Sequence, residues 1–233
     1  MTTPVESSRY FDRELHTLKQ DLLRMAALAE TAVVKSLASV TNRDSDLARE
    51  VITDDISLNR MELAIEETAF KVLALRQPVA TDLRLTVAAM RIATELERIG
   101  DQAVNICERA LELNSRPPLE LPIDIKIIAD LALGMVRTSI DAFVNQDPKL
   151  AIQVCQRDVE VDILDDEYIQ KILDCMIKES RWVTRLHHFI IIVRNFERIA
   201  DLATNIAEDI VFIVEGRVIK HRCEDWMLAE TTT

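Results

Sequence analysis

"ERIGDQAVNI" (Glu97–Ile106) is answered one hundred residues later by "ERIADLATNI" (Glu197–Ile206), with seven of ten positions identical. The apolar members show what the motif belongs to. Ile92, Leu96, Ile99, Ala103, Ile106 and Ala110 step by 4, 3, 4, 3 and 4, and Ile192, Phe196, Ile199, Ala203, Ile206 and Ile210 repeat the series. Such spacing makes an apolar seam on a helix that crosses its neighbours at a shallow angle. A second pair follows at an offset of 103: Val51, Leu58, Met61 and Ile65 against Val154, Val161, Leu164 and Tyr168. The duplication therefore embraces whole structural units, not one short motif.

Punctuation in the chain divides it further. Asp44 and Asp147 suit helix N-caps, and Pro148 suits the first helical position. Pro78 ends one helix and forces a restart. The one concentrated linker, "NSRPPLELP" (Asn114–Pro122), falls near the midpoint. Six long helices are expected, over about 9–41, 44–75, 80–114, 119–146, 148–179 and 181–216. Short connections between long helices make neighbours antiparallel. The expected fold is all-α: two tandem, sequence-related three-helix bundles, 9–114 and 119–216, with 217–233 a mobile tail.

Composition agrees. Hydrophobic residues make up 48% of the 233, enough for a packed core, while three glycines and six prolines are too few for a turn-rich β fold. The net charge of −12 repels nucleic acid and anionic lipid and favours cations or basic protein faces. No apolar run is long enough to span a membrane, and the opening residues lack a secretory pattern. The four cysteines form no CxxC pair, so reduced thiols and a cytoplasmic location are expected.

The polar half of the motif carries the chemistry. Glu97, Asp101 and Asn105 are four apart and stack on one helix face, extended by Glu108; Glu197, Asp201, Asn205 and Glu208 reproduce the row. The second helices supply companion rows, Asp55, Asn59, Glu62 and Glu66 in one half and Asp158, Asp162 and Asp165 in the other. All point away from the apolar seam. Like charges at this spacing cost about 0.2–0.5 kcal/mol per pair unless neutralised. Oxygen ligands on two neighbouring helices suit a hard divalent or trivalent cation, Mg, Mn, Ca or Fe, better than Zn. The competing reading is a solvated face, with Arg98 and Arg198 pairing to Asp101 and Asp201 three residues on.

Other chemistries find less support. A ferritin-type di-iron centre needs Glu-x-x-His pairs, and no histidine here has Glu three residues before it. His187-His188 reads as a helix-surface pair. The nucleotide-cradling P-loop and GxGxxG patterns are absent, as is GxSxG. Gly100, matched by Ala200, reads as a place of close helix approach.

"QPVATDLRL", "TELERIGDQAVNIC", "NFERIADLATNIAEDI" and "RDSDLAREVITDD", in this order around the central linker, resemble the PhoU family over about residues 10–220. The resemblance implies two three-helix bundles in one elongated molecule. It also implies an E/D-xxx-D motif in each half that holds surface metal, here Glu97/Asp101 and Glu197/Asp201. Asp55 and Asp158 match the accompanying second-helix positions, with Asn59 and Asp162 as further ligands. Ala200 departs from the family's usual glycine, and Trp182 stands where the first half has Asp82. Functionally, the resemblance implies a non-catalytic cytoplasmic adaptor, expected as a homodimer. Such a protein connects the ATPase of a phosphate ABC transporter to a sensor histidine kinase and restrains the phosphate-starvation response. Alternatives are a metal-dependent phosphatase or oxidase, or a plain helical scaffold.

Overall fold

Straight-chain residues and alanine dominate the long periodic stretches, and these lose little rotamer freedom in a helix. In the computed structural model, which describes residues 4–219 with side-chain surroundings from residue 11, they form seven α-helices. These are α1 (Pro4–Thr41), α2 (Ser45–Asp54), α3 (Ile56–Arg76), α4 (Ala80–Asn114), α5 (Ile125–Asn145), α6 (Pro148–Lys178) and α7 (Val183–Glu215). No strand occurs among the described residues. The first bundle is α1, the α2–α3 rod and α4; the second is α5, α6 and α7. Most of the expected tail, 220–233, lies outside the described residues.

The caps form where the sequence places them. Asp44 accepts from the backbone N–H of Asp46 and Leu47, and Asp147 from Lys149 and Leu150 ahead of Pro148. Gln77 takes a left-handed conformation and closes α3 just before Pro78.

Three boundaries differ from expectation. The second rod is interrupted at Asp55, where the Asp55 carbonyl accepts from both Leu58 N (2.9 Å) and Asn59 N (3.2 Å). The tighter first bond marks a one-residue interruption at which Asp55 keeps a right-handed helical backbone. The fifth helix starts at Ile125, not near 119: Pro118 and Pro122 disfavour a helical backbone in the residues before them, and Asp124 caps the helix through Lys126 N at 3.0 Å. A 3₁₀ turn, Ser180–Trp182, joins α6 to α7.

The seam residues of α4 and α7 are the interior of both bundles. Ile92, Leu96, Ile99, Ala103, Ile106 and Ala110 are buried, as are all six counterparts on α7. The linker does not hold the bundles apart. They lie side by side along α4 and α7, in antiparallel register: Arg84 Nε donates to Ile213 O (3.0 Å), Arg91 pairs with Asp209 (3.1 Å), and Asn205 donates to Glu95 (3.4 Å). Arg137 of α5 and Glu30 of α1 add an ion pair at 2.6 Å. Arg43 donates to the carbonyls of Leu113, Asn114 and Arg116, satisfying the end of α4. Cys107 and Cys175 are free thiols.

Candidate metal centres

Asp55, at the junction of α2 and α3, sets its side chain against α4. Gly100 makes the approach possible: a Cβ there would stand 3.3 Å from Asp55 Oδ1 and 2.4 Å from Leu58 Cδ1. Asn59 Nδ2 donates to Asp55 Oδ2 at 3.1 Å. Asp55 Oδ1 and Asn59 Oδ1 are buried acceptors that meet no donor in the protein. Glu62 accepts from the Thr94 hydroxyl at 2.9 Å, which ties α3 to α4 one turn further along. Glu97 is half-buried beside this set and Asp101 is exposed at its mouth.

The second half builds the same furrow differently. α6 runs unbroken, and Ala200, fully buried, occupies the place of Gly100. Asp158 and Glu197 are half-buried, while Asp162 and Asp201 are exposed. Asp165 is not an outward acid as its place in the row suggests; it is 1% exposed and pairs through Oδ2 with Arg194 Nη1 at 2.6 Å. It is held there by Arg194 of α7, whose counterpart in the first half is the neutral Thr94. Arg198 holds Asp201 partly down, but Arg98 pairs with Glu95 at 3.6 Å rather than with Asp101.

Electrostatics show that the rows from the two helices share one field. Burial, then Asp101, Glu62 and Asp55, push the Glu97 carboxyl up to about 7. Burial raises Asp55 and Asp101 as well, with Asp101 acting on the first and Glu62 on the second. In the other half Asp158 is pushed up to about 7 by burial, then Asp201, Asp162 and Glu197. Glu197 reaches about 7 through burial, Asp201 and Asp165 against the opposing pull of Arg194. Each furrow thus holds more carboxylate than it can keep ionised without a counter-charge.

The donor chemistry fits a hard cation: oxygen only, two adjoining helices, and orphaned acceptors at Asp55, Asn59 and Asp165. As the side chains stand, no three His, Cys, Asp or Glu among the described residues are drawn together closely enough to grip an ion. Mutually repelling carboxylates with no counter-charge between them are expected to stand apart in this way. Glu108 and Glu208 fall outside both sets: Glu108 pairs with Arg109, and Glu208 lines the groove between α4 and α7. His187 is exposed and His188 half-buried, their rings 6.4 Å apart at a tilt.

Two features escaped the sequence reading. Thr94 and Arg194 occupy equivalent positions, and each holds the third member of its second-helix row. The repeat register displays both residues; what hides their role is that an i+3 drift from the seam looks solvent-facing on a straight helix.

Fold and furrows together define a duplicated helical-bundle protein carrying one surface carboxylate cluster per half. The PhoU domain profile matches twice, over residues 22–110 and 125–210. The chain belongs to the PhoU family. It is 34% identical over 215 residues to the phosphate-specific transport system accessory protein PhoU of Edwardsiella tarda, covering 92% of this chain and 88% of that protein. It is 38% identical over 207 residues to the PhoU homolog of Caulobacter vibrioides (strain NA1000 / CB15N), covering 88% and 90%. The crystal structure of PhoU from Pseudomonas aeruginosa superposes with a TM-score of 0.85 at 34% identity, over 89% of this chain and all of that one.

Proposed function

We propose that this protein is a cytoplasmic adaptor of phosphate uptake that restrains both transport and the phosphate-starvation response. In this role it docks on the ATPase of a phosphate ABC transporter and on a sensor histidine kinase. The observation that carries the reading is the presence of the PhoU domain in both halves, in a chain whose relatives bear accessory-protein names. The furrows support it by exposing charge on the helices of both halves. The protein acts as a homodimer without catalysis of its own.

Asp55, Asn59, Glu97 and Asp101 would hold a hard cation in the first half, and Asp158, Asp162, Glu197 and Asp201 in the second. Mg, Mn and Fe match the oxygen set better than Zn. A bound cation supplies the positive charge that keeps every carboxylate of the furrow ionised. The chain's own contribution is orientation: Gly100 admits Asp55, and Asn59 fixes its second oxygen.

Co-purification from cells grown at high and low phosphate tests the adaptor. The transporter ATPase and the kinase should be recovered at high phosphate and reduced at low phosphate. Recovery of neither, under both conditions and after cross-linking, overturns the reading. Elemental analysis of the purified protein separates a cation-loaded adaptor from a plain scaffold.

A further inference from the structure

α3 packs its buried side chains on α1 and α4, while its opposite face carries large apolar residues that the bundle does not cover. Ile56 is 52% exposed, Leu63 64%, Phe70 60% and Leu75 71%. Ile56, Leu63 and Phe70 recur at intervals of seven and so line one stripe of the helix, and a shallow depression lies between Leu63, Phe70 and Leu75. Side chains of this size and exposure offer roughly 100 Å² apiece, or about 400 Å² together. A stable dimer buries about 800 Å² per partner, a little over half of it apolar. The stripe is therefore large enough to be the apolar centre of one such interface.

We propose that this stripe joins two copies of the chain, α3 against α3 in antiparallel register about a two-fold axis at Leu63. The inference rests on the homodimer of the proposed function and names its surface. The stripe is palindromic: Ile56 and Phe70 stand seven residues to either side of Leu63. Each Ile56 thus meets Phe70 of the second copy, and the two Leu63 side chains meet at the axis. Charge obeys the same symmetry. The exposed Arg60 comes opposite Glu66 and Glu67 of the second copy. Along the stripe, two positive residues (Arg60, Lys71) balance two negative ones (Glu66, Glu67) in a chain of net charge −12. Two copies can approach here without the repulsion of the average surface, whereas a strongly basic partner would find no complement. The second half lacks this arrangement. At the repeat offset of 103, Val159 and Leu173 match Ile56 and Phe70, but Asp166 stands in the place of Leu63 and would face its own copy across an axis.

Sedimentation equilibrium on the full chain, over a range of concentrations, reads the dimer dissociation constant. Leu63→Glu sets two like charges at the axis and should weaken the dimer roughly 30-fold or more. Arg60→Glu should weaken it less, and Arg60→Glu with Glu67→Arg should restore it. Ile163→Glu, at an exposed apolar position of α6, should leave it unchanged. Cysteine cross-linking under mild oxidation checks the register, with the unmutated chain as background. Leu63→Cys should link to itself. Phe70→Cys should not, because its two copies stand fourteen residues apart along the helix, about 21 Å, too far for a disulfide. A mixture of Ile56→Cys and Phe70→Cys chains should link. All these positions are exposed, and circular dichroism confirms that each variant folds. A dimer indifferent to Leu63→Glu, one dispersed by Ile163→Glu, or a self-linking Phe70→Cys overturns the surface alone. An unmutated chain that stays monomeric throughout overturns the homodimer reading and this inference with it.

Discussion

Gly100 lies so close to Leu58 that a methyl on it would stand 2.4 Å from Leu58 Cδ1, and Leu58 itself is only 3% exposed. The clash is with the end of a buried side chain, so Leu58 must shift to admit the methyl. Gly100→Ala gains about 1 kcal/mol of helix propensity but incurs about 1–3 kcal/mol of overpacking. A net loss of about 1 kcal/mol is expected, a fall in Tm of roughly 2–4 °C for a chain of this size. Leu58→Ala alone should cost about 2–5 kcal/mol, and the double variant less than the sum, because each change relieves the other. Strict additivity in thermal unfolding would show that the contact is not felt.

The N-cap of α6 is a separate and simpler case. Asp147 Oδ1 accepts from Lys149 N at 2.9 Å and Leu150 N at 3.2 Å. Asp147→Ala should cost about 0.5–2 kcal/mol in urea unfolding, and Asp147→Asn almost nothing, since the amide oxygen caps as well. Equal losses for both variants would point to charge, not capping, as the source.

The same caps and seam explain why the fold was legible in the sequence. A seven-residue apolar rhythm over α4 and α7 leaves little choice of architecture, and Asp44, Asp147 and Pro78 mark ends through local chemistry alone. The break at Asp55 was not legible, because no proline or glycine marks it in the sequence. The acid rows could be read as rows, but not their convergence, which depends on how α3 and α6 are rotated against α4 and α7. Asp165 was misplaced for that reason: periodicity gives a face, and only packing says what covers it.

Stability should depend on pH in an unusual direction once metal is removed. Burial and neighbouring like charges push Glu97, Asp158 and Glu197 up to about 7, from ordinary values of 4.5, 3.8 and 4.5. Between those limits the folded state binds more protons than the unfolded state, so stability falls as pH rises through 7 and is recovered on acidification. His188, whose pKa is lowered from 6.5 by burial and Arg109, opposes this once pH drops below about 6.5. Three carboxylates outweigh one imidazole. Chelator-treated protein should therefore melt higher at pH 6 than at pH 8, by a few degrees on the order of 2–4 °C per kcal/mol. Saturating Mn²⁺ should flatten or reverse the slope, because the ligands must then be ionised. A chelated protein that melts higher at pH 8 would contradict the crowding of these carboxylates.

The exposed acids offer the direct link from furrow to signal. Asp101 and Asp201 are exposed at the mouths of the furrows, away from the α4 and α7 seams. Combining Asp101→Ala with Asp201→Ala should leave the fold intact, since neither change opens the core. Without metal the change should even stabilise slightly, by relieving repulsion worth about 0.2–0.5 kcal/mol per pair. Cation binding should fall at both furrows together. If partners read the loaded furrows, repression fails with it, and a phosphate-starvation reporter switches on in phosphate-rich medium. Far-UV circular dichroism and melting come first, to set aside unfolding. A folded double variant that has lost its cation and still represses like the unmutated protein would separate metal from signalling, and the docking surface would then have to be sought on the outer faces of α1 and α5.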